Sequence, residues 1–126
     1  MYPEPVASPQ APAAVGPYSQ AIRHGGLVFI SGQLPLNPKT GKFISDDIRD
    51  QARQCLTNLN AVARAAGSGL EKAVKLSIFV TDIKDFPAVN EVYGTFFEEP
   101  YPARSTVQVA ALPLGAKIEI DAIVIV

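Results

Sequence analysis

Apolar residues recur at Ile48, Ala52, Cys55, Leu56, Leu59, Val62, Ala63 and Ala66. Steps of three and four bring them to one side of an α-helix, which turns once in about 3.6 residues. The pattern predicts a helix over 46–66, with Ser45 as N-cap, Asp46 and Asp47 at the positive end of the helix dipole, and Gly67 as the C′ stop. A different period follows. Val74, Leu76, Ile78 and Val80 alternate with Lys75, Ser77, Phe79 and Thr81, so a strand here has one strongly apolar face. Pro87 then suits a first helical turn, and Val89, Val92, Tyr93, Phe96 and Phe97 return to helical spacing. This second helix, about 86–97, must end before Pro100 and Pro102.

Strands fill the rest. Residues 20–24 and 27–31 flank Gly25-Gly26, a pair suited to the positive φ values of a tight hairpin. Pro35, Asn37, Pro38 and Gly41 mark a loop, and two further strands, near 103–109 and 117–126, enclose a loop with Pro113 and Gly115. The first 17 residues carry Pro3, Pro5, Pro9 and Pro12 and are expected to be extended with little regular structure. The order is therefore β-β-α-β-α-β-β, an α+β class with two helices on one face of a sheet. A length of 126 residues fits one domain over 1–126, with 1–17 as its extended N-terminal segment.

The last strand complicates this picture. Lys117, Glu119 and Asp121 share one parity and Ile118 and Ile120 the other, but Ala122 to Val126 is apolar on both. Two helices shield only one face. The other needs cover, either from further copies of the chain packed sheet against sheet or from the early loops folding back.

Composition narrows the class. Hydrophobic residues at 48% and charged residues at 18% belong to a chain that folds around a core. Eleven Lys and Arg against twelve Asp and Glu leave a formal charge of −1, without the basic footprint of a general nucleic-acid binder. One Cys forms no internal disulfide, and one Cys with one His builds no Cys/His zinc site within the chain. No apolar run approaches a membrane span, and residues 1–16 hold no Lys or Arg and no secretory-type apolar stretch. The expected location is the cytoplasm.

Walker loops, G-x-G-x-x-G, H-E-x-x-H and G-x-S-x-G are all missing. His24 reads as a residue flanking the Gly25-Gly26 turn, and Cys55, on the apolar stripe, as a buried structural thiol. Arg104 follows Pro102-Ala103 with no acid beside it in sequence. Its guanidinium either pairs with a cross-strand acid, Glu119 or Asp121, or presents a planar fork to a ligand carboxylate. Glu119 lies between Ile118 and Ile120, where a carboxylate needs solvent, a partner or a task. Tyr18, Ser31 and Asn90 are not set apart by spacing alone.

Five segments, taken together, resemble the reactive intermediate deaminase (RidA) family of small imine hydrolases, over nearly the whole chain from Ala11-Pro12 onward. Gly16-Pro17-Tyr18-Ser19-Gln20-Ala21 is similar to its N-terminal signature, and Ile30-Ser31-Gly32-Gln33-Leu34-Pro35 with Asn37-Pro38-Lys39-Thr40-Gly41 to its second. Val89-Asn90-Glu91-Val92-Tyr93 with Phe96-Phe97 resembles the second-helix motif. Pro102-Ala103-Arg104-Ser105-Thr106-Val107 and Leu112-Pro113, then Ile118-Glu119-Ile120-Asp121-Ala122-Ile123, resemble the C-terminal signatures.

The resemblance implies a chorismate-mutase-like fold, a homotrimer whose sheets form a central barrel, and active sites in the clefts between subunits. It implies hydrolysis of 2-imino acids or their enamine tautomers, such as 2-iminopropanoate and 2-iminobutanoate, to 2-keto acids and ammonia, with neither metal nor organic cofactor. Arg104 would then hold the substrate carboxylate, and Glu119 would orient the attacking water and relay a proton. Tyr18 would line the cleft, Ser31 and the Gly32 N–H would make polar contacts, and Asn90 would steady the site. Many members carry Cys where this chain has Thr106, which keeps a hydroxyl but excludes thiol chemistry. The segment 98–103 is short beside some relatives. Two other readings attach to such a chain: a regulatory protein that binds carboxylates without turnover, and a ribonuclease or translation inhibitor. The charge of −1, without a basic, aromatic-lined stripe, argues against the last.

Overall fold

Both helical periods and all the strand-like runs form regular elements, in a computed structural model that describes residues 2–126. The chain runs β1 (Glu4–Val6), β2 (Ala21–His24), β3 (Leu27–Gln33), α1 (Ile48–Ala65), β4 (Ala73–Val80), α2 (Phe86–Gly94), β5 (Ala103–Gln108) and β6 (Ile118–Ile125). The strands make one sheet in the order β1-β2-β3-β6-β4-β5. Only β4 and β5 pair in parallel; the other neighbours are antiparallel.

This order explains why both helices share a face. From β3 the chain crosses over β6 to β4 by way of α1, then steps outward to β5 by way of α2. Both crossovers move the same way along the sheet, so the right-handed rule sends both helices to the same side. Burial agrees: Ile118, Ile120, Ala122 and Val124 of β6, and Leu76, Ile78 and Val80 of β4, are enclosed with Cys55, Leu56, Leu59 and Val62 of α1.

Several boundaries differ from expectation for local reasons. The N-cap of α1 is Asp47 and not Ser45, because the Asp47 carboxylate accepts from the N–H groups of Arg49 (2.8 Å) and Asp50 (3.2 Å). Ser45 instead accepts from the Asp47 N–H at 2.9 Å, shaping the turn before the helix. Gly67 takes the C′ position with φ +82°, and the Ser68 N–H reaches the Ala63 carbonyl at 2.9 Å in a Schellman stop. The helix α2 ends at Gly94 instead of near 97, and Phe97 still buries its ring beyond the helix end. Packing kept the apolar spacing going after the helix had stopped.

The N-terminal segment holds one strand that its prolines hid. Pro5 of β1 lies opposite Ile22 at the sheet's edge, where a missing N–H is tolerated. Buried Gln20 ties the following loop down, accepting from the Ser8 N–H and donating to the Pro12 carbonyl at 2.7 Å.

The far face of the sheet stays open. Phe29, Val107 and Ile125 there are 43%, 45% and 49% exposed, because the first residues extend the sheet sideways and do not fold across this patch. The parity of β6 thus divides cleanly. Val124 belongs to the core under the helices, whereas Ile123 and Ile125 belong to the open face with Glu119 and Asp121.

Candidate active site

Glu119 projects from β6 on the open face, opposite Phe79 of β4. It borders a cleft of about 700 Å³ that also takes in Tyr18, Ser31 and Gly32, between walls that include Val15, Leu34, Leu36 and Pro113. The β3–β6 register shifts between Ile30 and Gln33, and that irregularity carries Ser31 and Gly32 to the carboxylate. A Cβ on Gly32 would run into the Glu119 carboxylate, so a larger residue here would push that side chain out of its present position. The Ser31 hydroxyl donates to the Ser19 carbonyl at 2.6 Å, which fixes the loop bearing Tyr18 and leaves its oxygen free to accept. On the other wall, buried Asn58 of α1 donates to the carbonyls of Leu34 and Leu36, both at 3.0 Å.

Glu119 itself has no hydrogen-bond or ionic partner among the described residues. Partial burial raises its pKa above the ordinary carboxylate value, and the neighbouring Asp121 charge adds to the rise. The carboxyl is poised to take up a proton.

Arg104 occupies the opposite face. It is in register with Leu76 of β4, whose side chain lies under the helices, so its own side chain rises beside α2. Nη1 donates to Asn90 Oδ1 at 2.8 Å, and the guanidinium carbon lies 4.6 Å from the Tyr93 ring centre and 5.2 Å from that of Phe86. These contacts fix the group without neutralising it. It opens on a second cleft of about 480 Å³ with Asn90, Tyr93, Tyr101 and Pro102. Thr106, two residues along the same face, has a buried hydroxyl with no protein partner, and so has Tyr93. Burial pushes the Tyr93 phenol up, while the Arg104 charge pulls the other way.

The expected site residues therefore fall into two groups. Tyr18, Ser31, Gly32 and Glu119 come together; Asn90, Arg104 and Thr106 lie across the sheet. Arg104 does not pair with Glu119 or Asp121, since both acids point to the other face. His24 flanks the turn at Gly25 and Gly26, whose φ values are +61° and +80°. Cys55 is fully buried, its thiol 3.8 Å from the Ile118 carbonyl and its pKa raised by burial first and the Glu119 charge second. Among the described residues no three His, Cys, Asp or Glu side chains converge as a metal site would require.

Sequence reasoning missed Gln20, Asn58, Phe86 and Tyr93 as supports. Asn58 left a legible signal, a polar residue three positions after Cys55 and four before Val62 on the buried stripe. Tyr93 left none, because an aromatic at helical spacing reads as core.

Known proteins share this sequence pattern and this fold. The family described as Endoribonuclease L-PSP matches residues 8–126. The chain is 52% identical over 120 residues to Reactive Intermediate Deaminase A, chloroplastic, of Arabidopsis thaliana, covering 95% of this chain and 64% of that longer one. It is 46% identical over 121 residues to the 2-iminobutanoate/2-iminopropanoate deaminase of Dermatophagoides farinae, covering 96% and 94% of the two chains. The crystal structure of E. coli TdcF with bound serine superposes with a TM-score of 0.92 at 44% identity, over 98% of each chain. The chain belongs to the endoribonuclease L-PSP family, which includes the reactive intermediate deaminases.

Proposed function

We propose that the protein hydrolyses 2-imino acids, or their enamine tautomers, to 2-keto acids and ammonia, as a homotrimer whose sites lie between subunits. One observation carries this reading. Arg104 and Glu119 face opposite sides of the sheet, each at its own cleft and each with bonding capacity to spare. A small 2-imino acid needs a cation for its carboxylate and a base near its C=N carbon, and one chain does not bring the two together. Packing of copies through the open apolar patch of Phe29, Val107 and Ile125 would do so.

The chemistry then asks little of the protein. Arg104 holds the carboxylate through its free N–H edge, and Asn90 with Tyr93 and Phe86 keeps that edge aimed. Water adds to the iminium carbon as Glu119 removes a proton from it, forming the C–O bond of a tetrahedral carbinolamine. Glu119 returns that proton to nitrogen, and the C–N bond breaks as the carbinolamine hydroxyl passes its own proton, by way of Glu119, to the departing ammonia, leaving ammonium and the 2-keto acid. A carboxyl with raised proton affinity is a stronger base than a free one and still gives the proton back. Tyr18 packs on the substrate, Ser31 and the Gly32 N–H make polar contacts, and the unpartnered Thr106 hydroxyl holds a water. The reading uses no metal or organic cofactor.

The same reading puts the protein in the cytoplasm, beside the pyridoxal-phosphate enzymes that release such imines. No helix among the described residues is long and apolar enough to cross a membrane. A carboxylate-binding protein without turnover gains support from the serine bound in TdcF, and it needs Arg104 but not Glu119. Cleavage of RNA has less support, because among the described residues Arg104 is the one basic side chain lining either cleft. The test is a threonine dehydratase reaction followed by keto-acid release. Addition of the protein should speed release, and Glu119→Gln should bind 2-oxobutanoate yet add no rate. If wild-type protein leaves the rate unchanged, the hydrolytic reading is wrong and binding alone remains.

A further inference from the structure

We propose that Leu114 makes the Glu119 cleft selective for 2-imino acids with long apolar side chains, an inference that rests on imine hydrolysis at that site. Leu114 lies in the 3-10 turn Pro113–Gly115 with φ +61° and ψ +14°. It is the one non-glycine residue in the left-handed region among those described. A residue with a Cβ is disfavoured there, and glycine or asparagine would be at ease. Its side chain is also 71% exposed. Leucine at this position is doubly costly to the folded chain, in backbone conformation and in bare apolar surface. Such an outlier at a site points to a task in binding.

The surroundings say which task. Leu114 stands on the wall of the Glu119 cleft, together with Val15, Leu36 and Pro113. Among the described residues, Glu119 is the only charged side chain lining that cleft. Its volume of about 700 Å³ lies within the roughly 300–1,000 Å³ of pockets that enclose drug-sized ligands. A three- or four-carbon imino acid leaves most of it empty. With the carboxylate on Arg104 of another copy and the imine carbon at Glu119, the remaining substituent is the amino-acid side chain. It is left facing apolar walls, and the exposed Leu114 is placed to close over it. Imines of leucine or methionine fit this description, and those of alanine do not reach it.

The test compares imines made in place from alanine, leucine and methionine by an L-amino acid oxidase, with surviving imine trapped by semicarbazide. Wild-type kcat/KM should favour the leucine imine over the alanine imine by at least about tenfold, since each buried methylene contributes severalfold. Leu114→Asn suits the left-handed backbone and removes the apolar contact. It should lower the leucine-to-alanine ratio at least about fivefold, chiefly by raising KM for the leucine imine, while Tm holds or rises. Leu114→Met should restore most of the ratio. An unchanged ratio in Leu114→Asn overturns the assignment, and if the trimer weakens at the same time, the side chain serves an interface instead. A wild-type preference for the alanine imine overturns it as well. Absence of hydrolysis for every imine overturns the imine chemistry, and the selectivity with it.

Discussion

Arg104 is held on several sides by α2, through Asn90, Tyr93 and Phe86, whereas Glu119 on β6 has no hydrogen-bond or ionic partner among the described residues. The contrast matches two kinds of work. A group that binds a carboxylate must keep its charge and stay where it is, and stacking on two rings does both. A group that moves a proton must be able to gain one, and partial burial beside Asp121 raises its readiness to do so. On the proposed reading each cleft is half of a site, one half rigid and charged, the other apolar and titratable.

The largest effect should come from keeping the halves apart. Ile125→Asp puts a carboxylate on the open patch, where a subunit contact would bury it at a cost of several kcal/mol. The chain should fold, sediment as a monomer and lose essentially all activity; full activity in a monomer would mean that one chain suffices. Val124→Asp does not ask this question, because Val124 lies in the core and its substitution unfolds the chain.

Next comes the rigid half. Arg104→Lys keeps a charge but loses the planar fork and its stacking on Tyr93, so kcat/KM should fall at least about tenfold. Near-normal kinetics would remove Arg104 as the anchor. Thr106→Val should cost about 1–2 kcal/mol in kcat/KM if the hydroxyl holds a water, and Thr106→Cys should stay within about threefold of the parent. Since that hydroxyl has no protein partner, Thr106→Val should not lower Tm. A silent Thr106→Val would leave the residue as strand packing.

The smallest effect tests the titratable half. Glu119 binds its proton more tightly folded than unfolded, so its contribution to stability is full below the unfolded pKa and lost as pH rises through the folded one. Glu119→Gln should therefore melt above the parent at pH 7, with the gap closing toward about pH 4. A Tm difference that does not change with pH would contradict the raised affinity.

Much of this was legible in the chain. Periodicity located both helices and every strand except β1, whose prolines masked an edge position. The parity of β6 separated Glu119 from the core, the lack of an adjacent acid singled out Arg104, and motif resemblance supplied its expected role. What stayed hidden was register. The face of Arg104 depends on its pairing with Leu76 across the parallel β4–β5 ladder, and nothing local to residues 102–106 encodes that partner. The same holds for Gly32, where the space a Cβ would take is filled by a carboxylate 87 residues away. Leu114 was invisible for a different reason, since a leucine gives no hint of a positive φ.

The division of the site between chains is tested most directly by mixing two dead proteins. Arg104→Ala and Glu119→Gln should each be nearly inactive alone. After joint refolding in equal amounts, a shared site forms wherever the chain with intact Arg104 meets the chain with intact Glu119 at the right interface. Random assembly makes that about one quarter of all sites, so about one quarter of wild-type activity should return. If both residues served a substrate within one chain, every site would carry a lesion. The mixture would then stay as inactive as its components.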